Sequence, residues 1–169
     1  PELKSEDQID PDPLPPGQVW TVTPGGQEEN PGLYKVEVNE SAGSGHKILN
    51  KPVPPKFRES VDCAIQNLYS KANSLVGDRD PRSHEFIIQL RAFDASKSGD
   101  SIGIGVLMAI SSALLQKSIK GGLVIVGNLN LGGSVDELYN AVSVVEHAVE
   151  KGASNILVPV SSRRQLAEL

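Results

Sequence analysis

Residues 94–116 read DASKSGDSIGIGVLMAISSALLQ, and where this stretch divides decides the fold. The first seven residues are small, polar or charged, the composition of a loop. From Ser101 onward the chain turns apolar with small residues on several sides, the pattern of a helix packed closely against a sheet or another helix. The loop therefore delivers Ser101 to the first turn of a buried helix, where backbone N–H groups lack intrahelical partners and the helix dipole presents its positive end. Such a start can hold the oxyanion of an acyl-transfer intermediate. It can equally be an ordinary N-cap, a position where serine is common. A phosphate loop is excluded, because no GK[ST] follows the glycines.

On either side of this helix the chain alternates strand and helix patterns. Downstream, GGLVIVGNLNL (121–131) reads as a central strand, GGSVDEL (132–138) as a turn and 139–151 as a helix ended by Gly152. NILVPV (155–160) is another strand, and Ser161 is expected to cap a final helix. Upstream, HEFIIQLRAF (84–93) has strand periodicity. Residues 55–76 place Phe57, Val61, Ala64, Ile65, Leu68, Ala72 and Leu75 on one helical stripe. QVWTVT (18–23) and GLYKVEVN (32–39) form a predicted hairpin, HKILN (46–50) a third short strand, and Trp20 a core anchor. Residues 1–17, PELKSEDQIDPDPLPPG, combine acid and proline with almost nothing to bury, so they are expected to be an extended linker ahead of one domain over 18–169. No internal repeat is visible.

Composition narrows the function classes. In 169 residues, 38% are hydrophobic, 22% charged and only 4% aromatic, which suits one aliphatic α/β core. A net charge of -5 argues against phosphate-backbone binding by the domain as a whole. One cysteine, Cys63, can form neither an internal disulfide nor a metal cluster; it sits in an amphipathic segment and reads as a small buried hydrophobe. No run of about 18 apolar residues spans a bilayer, so a soluble, cytoplasmic protein is expected. The chain opens on Pro1 rather than Met, as an excised domain of a longer polypeptide would.

KSGDSIG (97–103) resembles the K-D-G-P-S-A-G signature around the nucleophile of Lon-type proteases, with Ser101 on its serine. VGNLNLGGSV (126–135) is similar to the family's T-G-E-[IV]-T-L-x-G-x-V segment at the same spacing. KGASNILVPV (151–160) resembles its closing A-G-x-x-x-[VI]-[LI]-[IV]-P segment, and the hairpin resembles its G-x-A-W-T region. The resemblance runs over roughly residues 17–169. It implies an α/β (α+β) Lon proteolytic-domain fold, ribosomal protein S5 domain 2-like, with a mixed sheet and packed helices. The serine loop and the acidic, proline-rich start also resemble the Lon-like proteins of phage-exclusion (BREX) systems, in which a Lon-type domain follows an AAA+ ATPase. The partners implied are an ATPase domain in the same polypeptide using ATP and magnesium, a polypeptide substrate or protein partner, and a ring homo-oligomer. No cofactor or membrane is implied for the domain itself, and nucleic acid only through other regions.

Lon-type hydrolysis uses a Ser–Lys dyad, in which a neutral lysine takes the serine proton. Carried over in register, the family's G-G-x-x-x-K segment puts its glycines on Tyr139 and Asn140 and its lysine on Val144. If Gly132 and Gly133 are the glycine pair instead, the lysine position becomes Glu137. The threonine that supports the lysine falls on Val126, and the acidic residue of K-D-G-P-S on Ser98. Neither Val144 nor Glu137 is an amine base. Lys97 and Asp100 flank Ser101 but read as solvated loop charges. His147, one helical turn beyond Val144, is the candidate substitute base. His46 and His84 are expected at strand ends without convergent partners, and no metal site is predicted.

Overall fold

A computed structural model describes residues 8–25, 30–93 and 102–167. The strands are β1 (Gln18–Thr23), β2 (Gly32–Ala42), β3 (His46–Ile48), β4 (His84–Ala92), β5 (Leu123–Ile125) and β6 (Asn155–Leu157). They form one mixed sheet in the order β3-β4-β2-β1-β5-β6. β1, β2 and β4 pair antiparallel, while β3 joins β4, and β5 joins β1 and β6, in parallel. The helices are α1 (Pro55–Ser70), α2 (Ala72–Val76), α3 (Gly103–Leu115), α4 (Ala141–Glu150) and the short α5 (Arg163–Leu166).

β1 explains the layering. Its residues 19–23 are all buried, because it lies inside the sheet with helices on both faces. Val19 joins a large apolar core with Tyr34, Val36 and Phe86 from the sheet, Phe57 and Leu68 from α1, and Ile110 from α3. Trp20 and Val22 point the other way, into a smaller core with Val124, Val126 and the α4 residues Ala141, Val144 and Ala148. This second face is only partly covered. On β2 and β4 it carries Lys35, Glu37 and Arg91, joined by Lys35–Glu37 (3.7 Å) and Arg91–Glu37 (2.9 Å) ion pairs. Lys35 Nζ also lies 5.0 Å from the Trp20 ring centroid.

Several elements are shorter than the periodicity suggests. The helix predicted over 55–76 breaks at Lys71 into α1 and α2. The strands predicted over 121–131 and 155–160 keep three paired residues each, β5 and β6. Beyond β5 the chain instead folds into a small hairpin closed by a Leu129–Val135 bridge. Ser161 is not the cap of the last helix; Ser162 stands at its start, and its hydroxyl accepts the Leu138 N–H (2.9 Å).

The linker expectation changes as well. Residues 1–7 lie outside the described residues, but Ile9 is only 4% exposed and packs in the α4 core, with Leu14 beside it. Gly17 donates to Ser112 Oγ (2.9 Å) and accepts from Val38 N–H (2.8 Å). Composition alone hides this, since one isoleucine and one leucine suffice to anchor a proline-rich segment. Among the described residues, no helix is long and apolar enough to cross a membrane.

Candidate functional site at the start of α3

Ser101 lies outside the described residues, as do Lys97, Ser98 and Asp100. Their surroundings are described from Ile102 onward. Ile102 is fully buried at the N-cap position of α3. Gly103 abuts Leu129, where an added Cβ would meet the Leu129 Cβ and N at 3.0 Å. Gly105 abuts Thr21 at 3.4 Å. Gly103 and Gly105 therefore let the first turn of α3 press onto β1 and the segment after β5. One first-turn donor is already engaged, since the Ile104 N–H bonds the Gly127 carbonyl (3.1 Å). The Ile104 N–H is therefore not one of the unpaired amides of this helix start.

Val126 and Val144 sit together in the α4 core, at 2% and 0% exposure. The residues carried over as the family's threonine and lysine are therefore gathered by the fold, but as two buried valines. Asn140, placed on the second glycine of the family's pair, has a left-handed backbone (φ 60) at the start of α4. That is the conformation for which glycine is usual and asparagine tolerated. The alternative register gains no such support: Glu137 is exposed on a loop and accepts from Gln165 Nε2 (2.8 Å). Tyr139 is exposed too. His147 is half-buried on α4, flanking the Ala141–Val144–Ala148 stripe.

Two histidine expectations are corrected. His84 Nδ1 hydrogen-bonds Glu40 Oε1 between β4 and β2, and His46 Nε2 lies 3.6 Å from Asp62 Oδ1 of α1. Both histidines hold carboxylates, well away in sequence from Ser101. Among the described residues, no three His, Cys, Asp or Glu side chains gather as metal ligands would. Cys63 is half-buried, not fully buried. Its thiol pKa is pushed above the ordinary value by burial and then by the neighbouring charges of Glu59 and Asp62, so it is a poor nucleophile.

Asn67 is a feature that the sequence reading passes over. It is 2% exposed, and its side-chain amide donates to the Cys63 carbonyl (2.9 Å) and to the Asn130 carbonyl (3.0 Å), clamping the 128–136 hairpin to α1. A polar residue on the buried stripe of a helix is the signal that marks it. The hairpin closes on itself through Asn130 Nδ2 to Asp136 Oδ1 (2.7 Å). Its tip, Leu131, borders a groove of about 550 Å³ along α1 that includes Val53, Pro55 and Cys63. A second, mostly apolar groove of about 380 Å³ adjoins the start of α3, lined by Ile104, Met108, Val126, Val135, Leu157 and Val160.

Residues 56–162 match the family model described as subunit ChlI of Mg-chelatase. A Lon protease of Lawsonia intracellularis is 30% identical over 159 residues, covering 92% of this chain and 19% of that protein. The Lon-like protease BrxL of Escherichia coli O9:H4 is 25% identical over 150 residues, 87% of this chain and 21% of the relative. BrxL of Bacillus cereus is 22% identical over the same share of this chain. The chain thus spans about one fifth of the length of these curated relatives. Its six-stranded mixed sheet and packed helices fit a Lon proteolytic domain of the ribosomal protein S5 domain 2-like type. The chain belongs to the family of the ChlI model, and is homologous over about 90% of its length to Lon proteases and BrxL proteins.

Proposed function

We propose that this chain is the Lon-type domain of an ATP-dependent ring protein in which Ser–Lys hydrolysis has been lost, so that the domain serves ring assembly or partner binding. The observation that carries this reading is Val144, fully buried in the same apolar core as Val126, at the position to which the family resemblance carries the lysine base. A valine accepts no proton, so that position supplies no base. In this reading ATP and magnesium act in an ATPase portion of the same polypeptide, the protein is cytoplasmic, and the phage-exclusion role belongs to the BrxL likeness.

The test uses the ATP-supplied full-length protein with an unfolded substrate such as casein, comparing wild type, Ser101→Ala and His147→Ala. No Ser101-dependent cleavage is expected. Cleavage lost in Ser101→Ala would overturn the reading, and its loss in His147→Ala as well would identify a Ser–His pair.

A further inference from the structure

We propose that residues 9–17 form a strap whose attachment decides whether α4 stays seated on the sheet. The strap starts at the C-terminal end of α4, where Ile9 N–H bonds the Lys151 carbonyl (2.8 Å) and the Ile9 side chain fills the α4 core. It passes the entry to β5, where Asp10 accepts the Gly122 N–H (3.1 Å). It ends on the opposite layer, where Gly17 is held by Ser112 of α3 and Val38 of β2. One segment thus ties the α4 layer to the α3 layer around the end of the sheet.

Its track is lined with glycine for steric reasons. A side chain on Gly121 would collide with the Pro11 carbonyl, and one on Gly17, at the end of the strap, with the Val38 carbonyl; Gly152, which lies in ordinary contact with the Ile9 carbonyl, is required by its positive φ of 103°. Helix α4 depends on such outside fastening. It has ten residues, no side-chain cap and no acidic residue in its first turn, too short and too poorly capped to persist alone. Its two ends are held from remote parts of the chain: Ala141 N–H by Gln165 Oε1 (2.9 Å), and Lys151 by Ile9. A load on the chain ahead of Ile9 therefore reaches α4 before any other helix. The inference rests on this geometry and is independent of whether the domain cleaves peptides.

The test is peptide-resolved hydrogen exchange on the wild-type chain, Ile9→Asp and Gly121→Ala. The first variant removes the anchor; the second blocks the track without altering the strap. Both are expected to speed exchange in residues 141–150 and 123–125 by about tenfold or more, leaving α1 and α3 within about twofold of wild type. Emission of the single tryptophan, Trp20, which shares the α4 core, should shift to the red in both. Unchanged exchange in α4, or equal acceleration in every element, would overturn the proposal. Should Ile9→Asp not fold, Gly121→Ala decides; failure of both to fold would show the strap inseparable from the core and also overturn it.

Discussion

At position 144 a lysine would enter the buried apolar core that holds Trp20, Val22, Val124 and Val126, with no hydroxyl where the family keeps its threonine. Val144→Lys should therefore cost on the order of 2–5 kcal/mol in denaturant unfolding. The sign of its pH dependence follows from desolvation. The buried amine would have a depressed pKa, so the unfolded chain binds the extra proton, and the penalty shrinks as pH rises toward the ordinary lysine range. Val126→Thr added to Val144→Lys should recover part of the loss, because the hydroxyl gives the amine a partner; an additive double variant would contradict this. At Cys63 the raised pKa predicts slow alkylation by iodoacetamide at neutral pH. Glu59→Gln with Asp62→Asn should speed it by lowering the pKa, although burial, the larger cause, remains.

Among the elements, the 128–136 hairpin depends most visibly on a single side chain. Asn67→Ala would leave the part-buried carbonyls of Cys63 and Asn130 without its amide, at a cost of about 1 kcal/mol, and should open the hairpin to limited proteolysis near Leu131. Undiminished protease resistance would show that the Asn128, Asn130 and Asp136 side chains hold the hairpin unaided. The same segment separates what sequence makes legible from what it does not. The run 121–131 reads as a strand in sequence, yet only Leu123–Ile125 pairs with β6 and only Val124 also pairs with β1. The last bond to β6 is from the Val126 N–H to the Leu157 carbonyl (2.9 Å), after which Gly127 turns its carbonyl to Ile104 of α3. Strand propensity reports fitness for a pleated surface, not the presence of a neighbour to pair with.

For the whole molecule, the sheet separates two cores of unequal size. Ile110→Ala on the α3 side and Val144→Ala on the α4 side should each destabilise, by about 2–5 and 1–3 kcal/mol, and their double variant should be additive within about 0.5 kcal/mol. A larger coupling energy would mean that the sheet transmits packing strain between its faces.

The sequence by itself determined the succession of strands and helices, because periodicity is a property of neighbours a few residues apart. It also carried the expectation that Ser101 and Val144 fall on the family's serine and lysine positions, because spacing between motifs is read without coordinates. Only the tertiary structure decided that Val126 and Val144 share one buried cluster, that Gly127 occupies an amide at the start of α3, and that Ile9 turns an apparent linker into part of the core. Each of these joins residues far apart in the chain, and burial and backbone pairing between distant segments are fixed by packing rather than by local composition.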